Sequence, residues 1–157
     1  MMLQHEAAGI LYRPEYQAAV TLLNYRHVHR LEALPDPLKA SLDGWNMAPY
    51  MTMRGPNEFL YTGDFNDWNR IPDMQRITQP CLISTGMHDE LTPACARRMQ
   101  QALPDAKLVV FKNSSYLAHW EEQENYFRTL LDFLAAQPSK PKAAEAGPQR
   151  GKKAFRT

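Results

Sequence analysis

The sequence predicts an α/β fold in which a helical segment precedes two βα units on a parallel sheet. In the first half, prolines and glycines separate short stretches whose apolar residues recur at helical spacing. In the second half, two continuous apolar runs, "CLIST" (81–85) and "KLVVF" (107–111), are typical of buried parallel strands, and a helix-like stretch follows each. Two strands form only part of a stable open sheet, so we expect the sheet to be incomplete.

Composition excludes several classes of protein. With 157 residues, 44% of them hydrophobic, the chain is long enough for one domain with a real core. A net charge of +1 gives no electrostatic reason to expect a nucleic-acid or membrane partner, and no stretch approaches the roughly 18 apolar residues of a membrane span. Cys81 and Cys95 form neither a disulfide framework nor a zinc pattern, which favours a reducing cytoplasm. The start "MMLQHEAAG" lacks the features of a signal peptide.

The first part of the chain reads as a small helical layer. The segment 15–32 follows Pro14, a favourable first-turn residue, and repeats apolar positions at helical spacing. Shorter helices follow, interrupted by prolines and glycines. We therefore predict a helical segment over 1–60 and a linker over 61–75.

The second part, predicted over 76–136, carries the two βα units. Thr92 and Pro93 provide a cap and a first turn for the helix after the first strand. The stretch 117–136 predicts one long helix with a broad apolar face formed by Leu117, Trp120, Phe127, Leu130, Leu131 and Leu134.

The last segment, 137–157, reads as a disordered basic tail. It holds six Lys or Arg residues against one Glu, together with three prolines. A solvated appendage is favoured over the alternative, a weak anchor for an anionic partner.

Chemistry is expected in the two loops that follow the strands. Ligands of open α/β sheets bind at the carboxyl ends of the strands, where "GMHDELTP" and "NSSYLAH" converge. An acid after one strand and a histidine after the next follow the order of a Ser, Asp, His triad in this kind of fold. Asp89 lies in the first loop, although a lone Asp before a helix is also an ordinary cap.

Several motifs together resemble the proline iminopeptidase-like family of α/β-hydrolases, of the tricorn-interacting aminopeptidase type. They are "EYQAAV", "RHVHRL", "RGPNEF", "TGDFNDW", "GMHDELTP" and "NSSYLAHWEE", in this order over roughly residues 5–135. The resemblance implies a partial α/β-hydrolase fold, with residues 1–60 as the helical cap and 76–136 as the last two βα units of the catalytic sheet. It also implies release of the N-terminal residue, often proline, from short peptides or amino-acid amides, without a cofactor or metal.

The resemblance assigns roles to individual residues. Asp89 takes the place of the triad acid, and Glu58 and Glu90 match the acidic pair that holds the α-amino group of the substrate. Two carboxylates around one ammonium provide charge-assisted bonds that distinguish a free N-terminus from an internal peptide bond. The alternatives are an exposed loop charge for Glu58 and a favourable interaction with a helix dipole for Glu90.

The chain departs from the family pattern at the catalytic base. Tyr116 occupies the position of the triad histidine, and a phenol stays protonated at neutral pH and cannot accept the serine proton as imidazole does. His119 lies about one helical turn further on and is expected to project from a different place. We interpret Tyr116 as a residue that fills the space of the histidine without its chemistry.

The nucleophile is missing as well. No G-x-S-x-G motif occurs, and Ser41, Ser84, Ser114, Ser115 and Ser139 lack the strand–turn–helix setting of a nucleophile elbow. We therefore predict the back half of an aminopeptidase, truncated and inactive alone. The alternative is a non-catalytic interaction module or subunit that pairs with a separate nucleophile-bearing half through its open sheet edge. A nucleic-acid or acidic-surface binder is the least favoured interpretation.

Overall fold

The computed structural model describes residues 1–137, and the predicted basic tail therefore lies outside the described residues from position 138 onward. Helical elements come first: α1 Met2–Ala8, α2 Pro14–His27, α3 Asp36–Asp43, α4 Met47–Met53 and a 3-10 helix Ile71–Arg76. The second half contains β1 Cys81–Gly86, α5 Pro93–Ala102, β2 Ala106–Phe111, α6 Ala118–Glu121 and α7 Gln123–Ala135. The predicted order of a helical segment followed by two βα units is confirmed. The proposed boundaries at 60 and 75 stay predictions.

The two strands form a parallel pair whose carboxyl ends coincide. Cys81 lies opposite Ala106, and Gly86 lies opposite Phe111. Helix α5 connects the strands and packs on both of them and on the 3-10 helix. The loops after β1 and β2 therefore leave the same edge of the sheet, as the sequence predicts.

Helix α2 ends earlier than predicted. The expected helix over 15–32 stops at His27. The carbonyl groups of His27 and Val28 accept hydrogen bonds from the backbone N–H groups of Tyr116 and Leu117, at 3.2 and 3.1 Å. The chain leaves its helical path where these contacts begin, so a tertiary interaction overrides the local helical pattern.

The prediction of a single long helix over 117–136 is also wrong, because the helix is interrupted between α6 and α7. Glu122 has φ −128° and ψ 51°, outside the helical region. The broad apolar face is not buried by the described residues: Phe127, Leu131 and Leu134 are 44%, 63% and 55% exposed. This exposure is consistent with a sheet that is only partly represented in the chain.

No helix within residues 1–137 combines the length and apolar character needed to cross a membrane. The buried apolar side chains of this part belong to both halves of the chain, and they are Tyr16, Val20, Leu38, Ala96, Phe111 and Ala118.

Candidate active site

A sharp turn after α4 fixes the position of Glu58. Gly55 has a φ of 131°, and a Cβ atom there would lie 2.5 Å from the carbonyl oxygen of Leu60, so only glycine fits. Asn57 closes the turn, because its Oδ1 accepts hydrogen bonds from the N–H groups of Phe59 and Leu60 at 2.9 and 3.1 Å. The motif "RGPNEF" is thus a local folding unit that presents one carboxylate.

Glu58 and Glu90 meet at a common cation. Nη2 of Arg54 contacts the carboxylate of Glu58 and lies 3.0 Å from Oε1 of Glu90. The hydroxyl of Tyr50 donates a 2.9 Å hydrogen bond to Glu58. The side chains of Glu58 and Glu90 are only 18% and 8% exposed, so the alternative of an exposed loop charge does not apply to Glu58. The structure therefore brings together the two acids that the resemblance paired.

Burial, together with the neighbouring acid, changes the protonation of Glu90. Burial raises the pKa of Glu90 to about 7, the neighbouring carboxylate of Glu58 adds to this rise, and Arg54 opposes it. Because the ordinary pKa of a glutamate is about 4.3, Glu90 titrates near neutral pH instead of in acid. Perturbed carboxylates of this kind are enriched at functional sites.

Sequence reasoning missed Arg54 and Tyr50. Arg54 stands four residues before Glu58, but α4 ends at Met53 and Gly55 and Pro56 lie between them, so no helical spacing indicated this contact. Its contact with Glu90, 36 residues away, was not deducible from local pattern.

Asp89 is buried and held by the loop that follows β1. Its Oδ1 accepts a 2.9 Å hydrogen bond from the N–H of Leu91, and its Oδ2 accepts one from the hydroxyl of Thr85 at 3.2 Å. Burial raises its pKa, although these hydrogen bonds counteract the rise. The N-cap of α5 is Thr92, so Asp89 is not the helix cap considered as an alternative. Thr92 holds the predicted cap position without a side-chain cap hydrogen bond.

The turn after β2 is held by two glutamates from α6 and the residue that follows it. Ser114 and Ser115 are fully buried and donate 2.6 Å hydrogen bonds to Glu122 and Glu121, respectively. Both carboxylates also accept a backbone hydrogen bond. The N–H of Asn113 donates to Glu122, and the N–H of Ser115 donates to Glu121. The two serines are therefore structural, and their turn places the next residue, Tyr116.

We expect Glu122→Ala to lower the free energy of unfolding by about 2 kcal/mol at neutral pH, because hydrogen bonds to a charged acceptor are lost. Burial alone would raise the pKa of Glu122, but hydrogen bonds from Ser114 and Asn113 lower it below its ordinary value. A depressed carboxylate pKa stabilises the fold above the unfolded value, about 4.3, and this contribution disappears as the pH falls through the folded pKa.

Urea unfolding of both proteins at pH 7 and about pH 3 measures this difference, which should shrink in acid. The matched control is Glu124→Ala, since the Glu124 side chain is 94% exposed and forms a long ion pair with Arg128, at 3.9 Å. An equal loss of stability in the two variants would contradict the structural role of Glu122.

Two cavities meet at Tyr116. Asp89 and Tyr116 line a cavity of about 820 Å³, and Glu58, Glu90 and Tyr116 line a second cavity of about 500 Å³. The ring of Tyr116 is half exposed and belongs to the wall of both. His119 also lines both cavities, and its ring packs 5.7 Å from that of Tyr126. The four residues singled out from the sequence thus line two cavities that share Tyr116.

Sequence comparisons connect the chain to one group of enzymes. It is 34% identical over 132 residues to a proline iminopeptidase of Saccharolobus solfataricus, a match that covers 83% of this chain and 43% of the relative. A proline iminopeptidase of Thermoplasma volcanium is 37% identical over 127 residues, covering 80% of this chain and 43% of the relative. No protein-family profile matches. The chain spans less than half the length of the curated relatives it matches.

Solved structures agree with the sequence matches. The crystal structure of VinJ superposes with a TM-score of 0.79 at 34% identity, covering 85% of this chain and 46% of that protein. The crystal structure of proline iminopeptidase from Mycobacterium smegmatis gives a TM-score of 0.77 at 34% identity, with the same coverage. The prediction of a partial α/β-hydrolase fold is confirmed.

Proposed function

The chain has the sequence and the fold of the cap and C-terminal part of a proline iminopeptidase-like α/β-hydrolase, and from this premise we propose that it forms the amine-recognition half of a serine aminopeptidase site. Glu58 and Glu90 bind the free α-amino group of a short peptide or amino-acid amide. Asp89 stands at the position of the triad acid, and Tyr116 at that of the triad histidine. Without a nucleophile elbow in its 157 residues, the chain is inactive alone.

One observation carries this proposal: two acids 32 residues apart converge in a cavity that also contains Tyr116. Surface carboxylates repel and face solvent, whereas these two are mostly buried around a single guanidinium. Oε2 of Glu90 is buried and has no hydrogen-bond partner among the described residues. An acceptor of this kind is suited to a ligand donor: a primary ammonium has three N–H groups, and the secondary ammonium of an N-terminal proline has two.

The arrangement explains selection of an N-terminal residue. An ammonium bound at Glu90 directs the following peptide carbonyl toward Tyr116 and the adjoining cavity with Asp89. An internal peptide bond carries no ammonium and would leave the buried carboxylates unpaired, which opposes its binding. The free thiols of Cys81 and Cys95 are consistent with a reducing compartment, and we propose the cytoplasm.

Binding of L-prolinamide to the purified chain tests this function without requiring catalysis. We expect Glu90→Gln and Glu58→Gln each to weaken binding by about tenfold or more, because a charge-assisted hydrogen bond contributes about 1.5–3 kcal/mol. Calorimetric titration gives the dissociation constants, and N-acetylprolinamide, which lacks the ammonium, should not bind.

The exposed Glu124→Gln serves as control and should bind like the wild type. Binding that is equal in all four proteins, or equal for the acetylated ligand, would refute recognition of the amine by the acidic pair.

A second candidate function is favoured by the open surfaces of the second half. The parallel pair has only two strands among the described residues, and Phe127, Leu131 and Leu134 form an exposed apolar stripe on α7. Such edges and stripes are suited to pairing with another segment. We propose as occupant a separate, nucleophile-bearing hydrolase half.

Light scattering with and without the N-terminal half of the Saccharolobus relative measures this association. A one-to-one complex that Leu131→Glu abolishes supports the subunit function, whereas two components that stay apart at high micromolar concentration contradict it. The exposed Tyr12→Glu, in the segment before α2, provides a matched control for the added charge.

A further inference from the structure

Arg54 is held in place from four directions. Its Nη2 contacts the Glu58 carboxylate, lies 3.1 Å from the Glu58 carbonyl oxygen, and lies 3.0 Å from Oε1 of Glu90. The guanidinium carbon stacks 4.5 Å above the ring centre of Tyr61, within the range of a cation–π interaction. The side chain is only 20% exposed. Displacing this guanidinium would break all four contacts, which opposes its replacement by an incoming ammonium.

When Glu58 and Glu90 are both ionised, one negative charge around Arg54 stays uncompensated. Two ionised carboxylates and one guanidinium carry a net charge of −1, which matches one ammonium group. Without the guanidinium, two partly buried carboxylates this close together resist simultaneous ionisation, because each disfavours the charged form of the other. Arg54 therefore favours the state in which both acids are charged, which Glu90 reaches as the pH rises through about 7.

The acceptor atoms of the pair are unequally occupied. Oε1 of Glu58 accepts from Tyr50, and Oε2 of Glu58 contacts Arg54. Oε1 of Glu90 accepts from Arg54, whereas Oε2 of Glu90 is buried and has no partner among the described residues. The Glu90 side chain is 8% exposed and lines the cavity of about 500 Å³. Oε2 of Glu90 is thus the carboxylate oxygen of the pair that no donor among the described residues reaches.

We propose that Arg54 is a positioning residue of the amine site, which holds Glu58 and Glu90 together as an ionised pair with one net negative charge and leaves Oε2 of Glu90 to accept the substrate ammonium. This inference rests on the proposed recognition of a free α-amine. Both acids attract the ammonium, but their further tasks differ: Glu58 also anchors the guanidinium, and Glu90 supplies the unoccupied acceptor atom.

The proposal has a consequence for pH. Amine binding requires an ionised Glu90 and a protonated amine, whose ordinary pKa is about 7.7–8.0 in peptides. Arg54 opposes the rise of the Glu90 pKa. Removal of Arg54 should therefore raise the pH at which binding is lost in acid and narrow the pH range in which the amine binds. The charged and titratable groups that interact with Glu90 are Arg54, Glu58, Tyr50 and Tyr61, and the others that line its cavity are His29, His119 and Tyr116. Because two histidines also line this cavity, a readout specific to Glu90 is needed.

The experiment measures L-prolinamide affinity from about pH 5.5 to about pH 9 for the wild type, Arg54→Met and Arg54→Lys, together with the side-chain carbon NMR titration of Glu90 without ligand. We expect Arg54→Met to bind about tenfold or more weakly at pH 7 and to raise the Glu90 midpoint by about one pH unit or more. Arg54→Lys keeps the charge but loses the planar fork, so it should restore the midpoint and only part of the affinity.

Outcomes separate this proposal from the proposed function. The role of Arg54 is overturned if Arg54→Met binds prolinamide at least as tightly as the wild type and leaves the Glu90 midpoint unchanged. In that case, weaker binding by Glu90→Gln still supports amine recognition. A wild type that fails to bind prolinamide overturns amine recognition and this inference with it. Near-ultraviolet circular dichroism identifies a variant that fails to fold, and in that case Arg54→Lys carries the test through its midpoint and affinity.

Discussion

The purified chain is expected to release no measurable product from proline or alanine anilides, and Tyr116→His is expected to leave this result unchanged. Serine, histidine and acid act as one unit, and removal of a triad member typically lowers kcat by about 10⁴–10⁶. Both the base and the nucleophile elbow are absent from this sequence. A new imidazole at position 116 would have no serine hydroxyl to deprotonate.

The same substitution should matter greatly once a nucleophile is supplied. We propose a two-by-two assay in which the wild-type chain or Tyr116→His is measured with and without the N-terminal half of the Saccharolobus relative. Only Tyr116→His with the added half should be active, by about 10⁴-fold over the complemented wild type. In that complex Asp89, buried and supported by Thr85 and Leu91, would orient the introduced imidazole.

His119 provides the internal control for this assay, because it lines the same cavities as Tyr116. His119→Gln should leave the complemented Tyr116→His protein active. Equal activity of the wild-type and Tyr116→His complexes, abolished by His119→Gln, would show that His119 serves as the base. Hydrolysis by the unmodified chain alone would refute the proposed inactivity.

Elements with a strong local signal were predictable from the sequence. The runs "CLIST" and "KLVVF" became β1 and β2, and Pro93 begins α5 after Thr92 as expected. Continuous apolar runs require burial on both faces, which a parallel sheet provides, so few alternatives compete. The parallel pairing then brings the two loops to one edge without further information.

Features that depend on tertiary contacts were not predictable from the pattern. The break before α7 occurs because Glu121 and Glu122 bind the buried serines of the turn instead of facing solvent, and nothing in a helical period indicates this. The pairing of Glu58 with Glu90 came from the family resemblance and not from their spacing. The Arg54–Glu90 contact joins segments whose approach is set by the fold as a whole.

Gly86→Ala is expected to destabilise the chain by about 3 kcal/mol or to prevent folding, because overpacking at a rigid contact is costly. Gly86 is the last residue of β1, and a Cβ atom there would lie 2.2 Å from the carbonyl oxygen of Ser115 and 2.3 Å from that of Ser114. Both obstacles are backbone atoms, which no side-chain rotation removes. Urea unfolding measures the loss.

Gly44→Ala is the matched control, since its nearest obstacle would be 3.4 Å away and its φ of −82° suits alanine. We expect it to change the stability by less than about 1 kcal/mol. The close approach at Gly86 also supports the 3.0 Å hydrogen bond from the N–H of His88 to the carbonyl of Ser114, which joins the loop of Asp89 to the turn of Tyr116. Separation of these loops would move Asp89 away from position 116. In the complemented Tyr116→His complex, we therefore expect Gly86→Ala to reduce activity more than Gly44→Ala does. Equal stability of the two alanine variants would mean that the strand end and the turn do not pack this closely in solution.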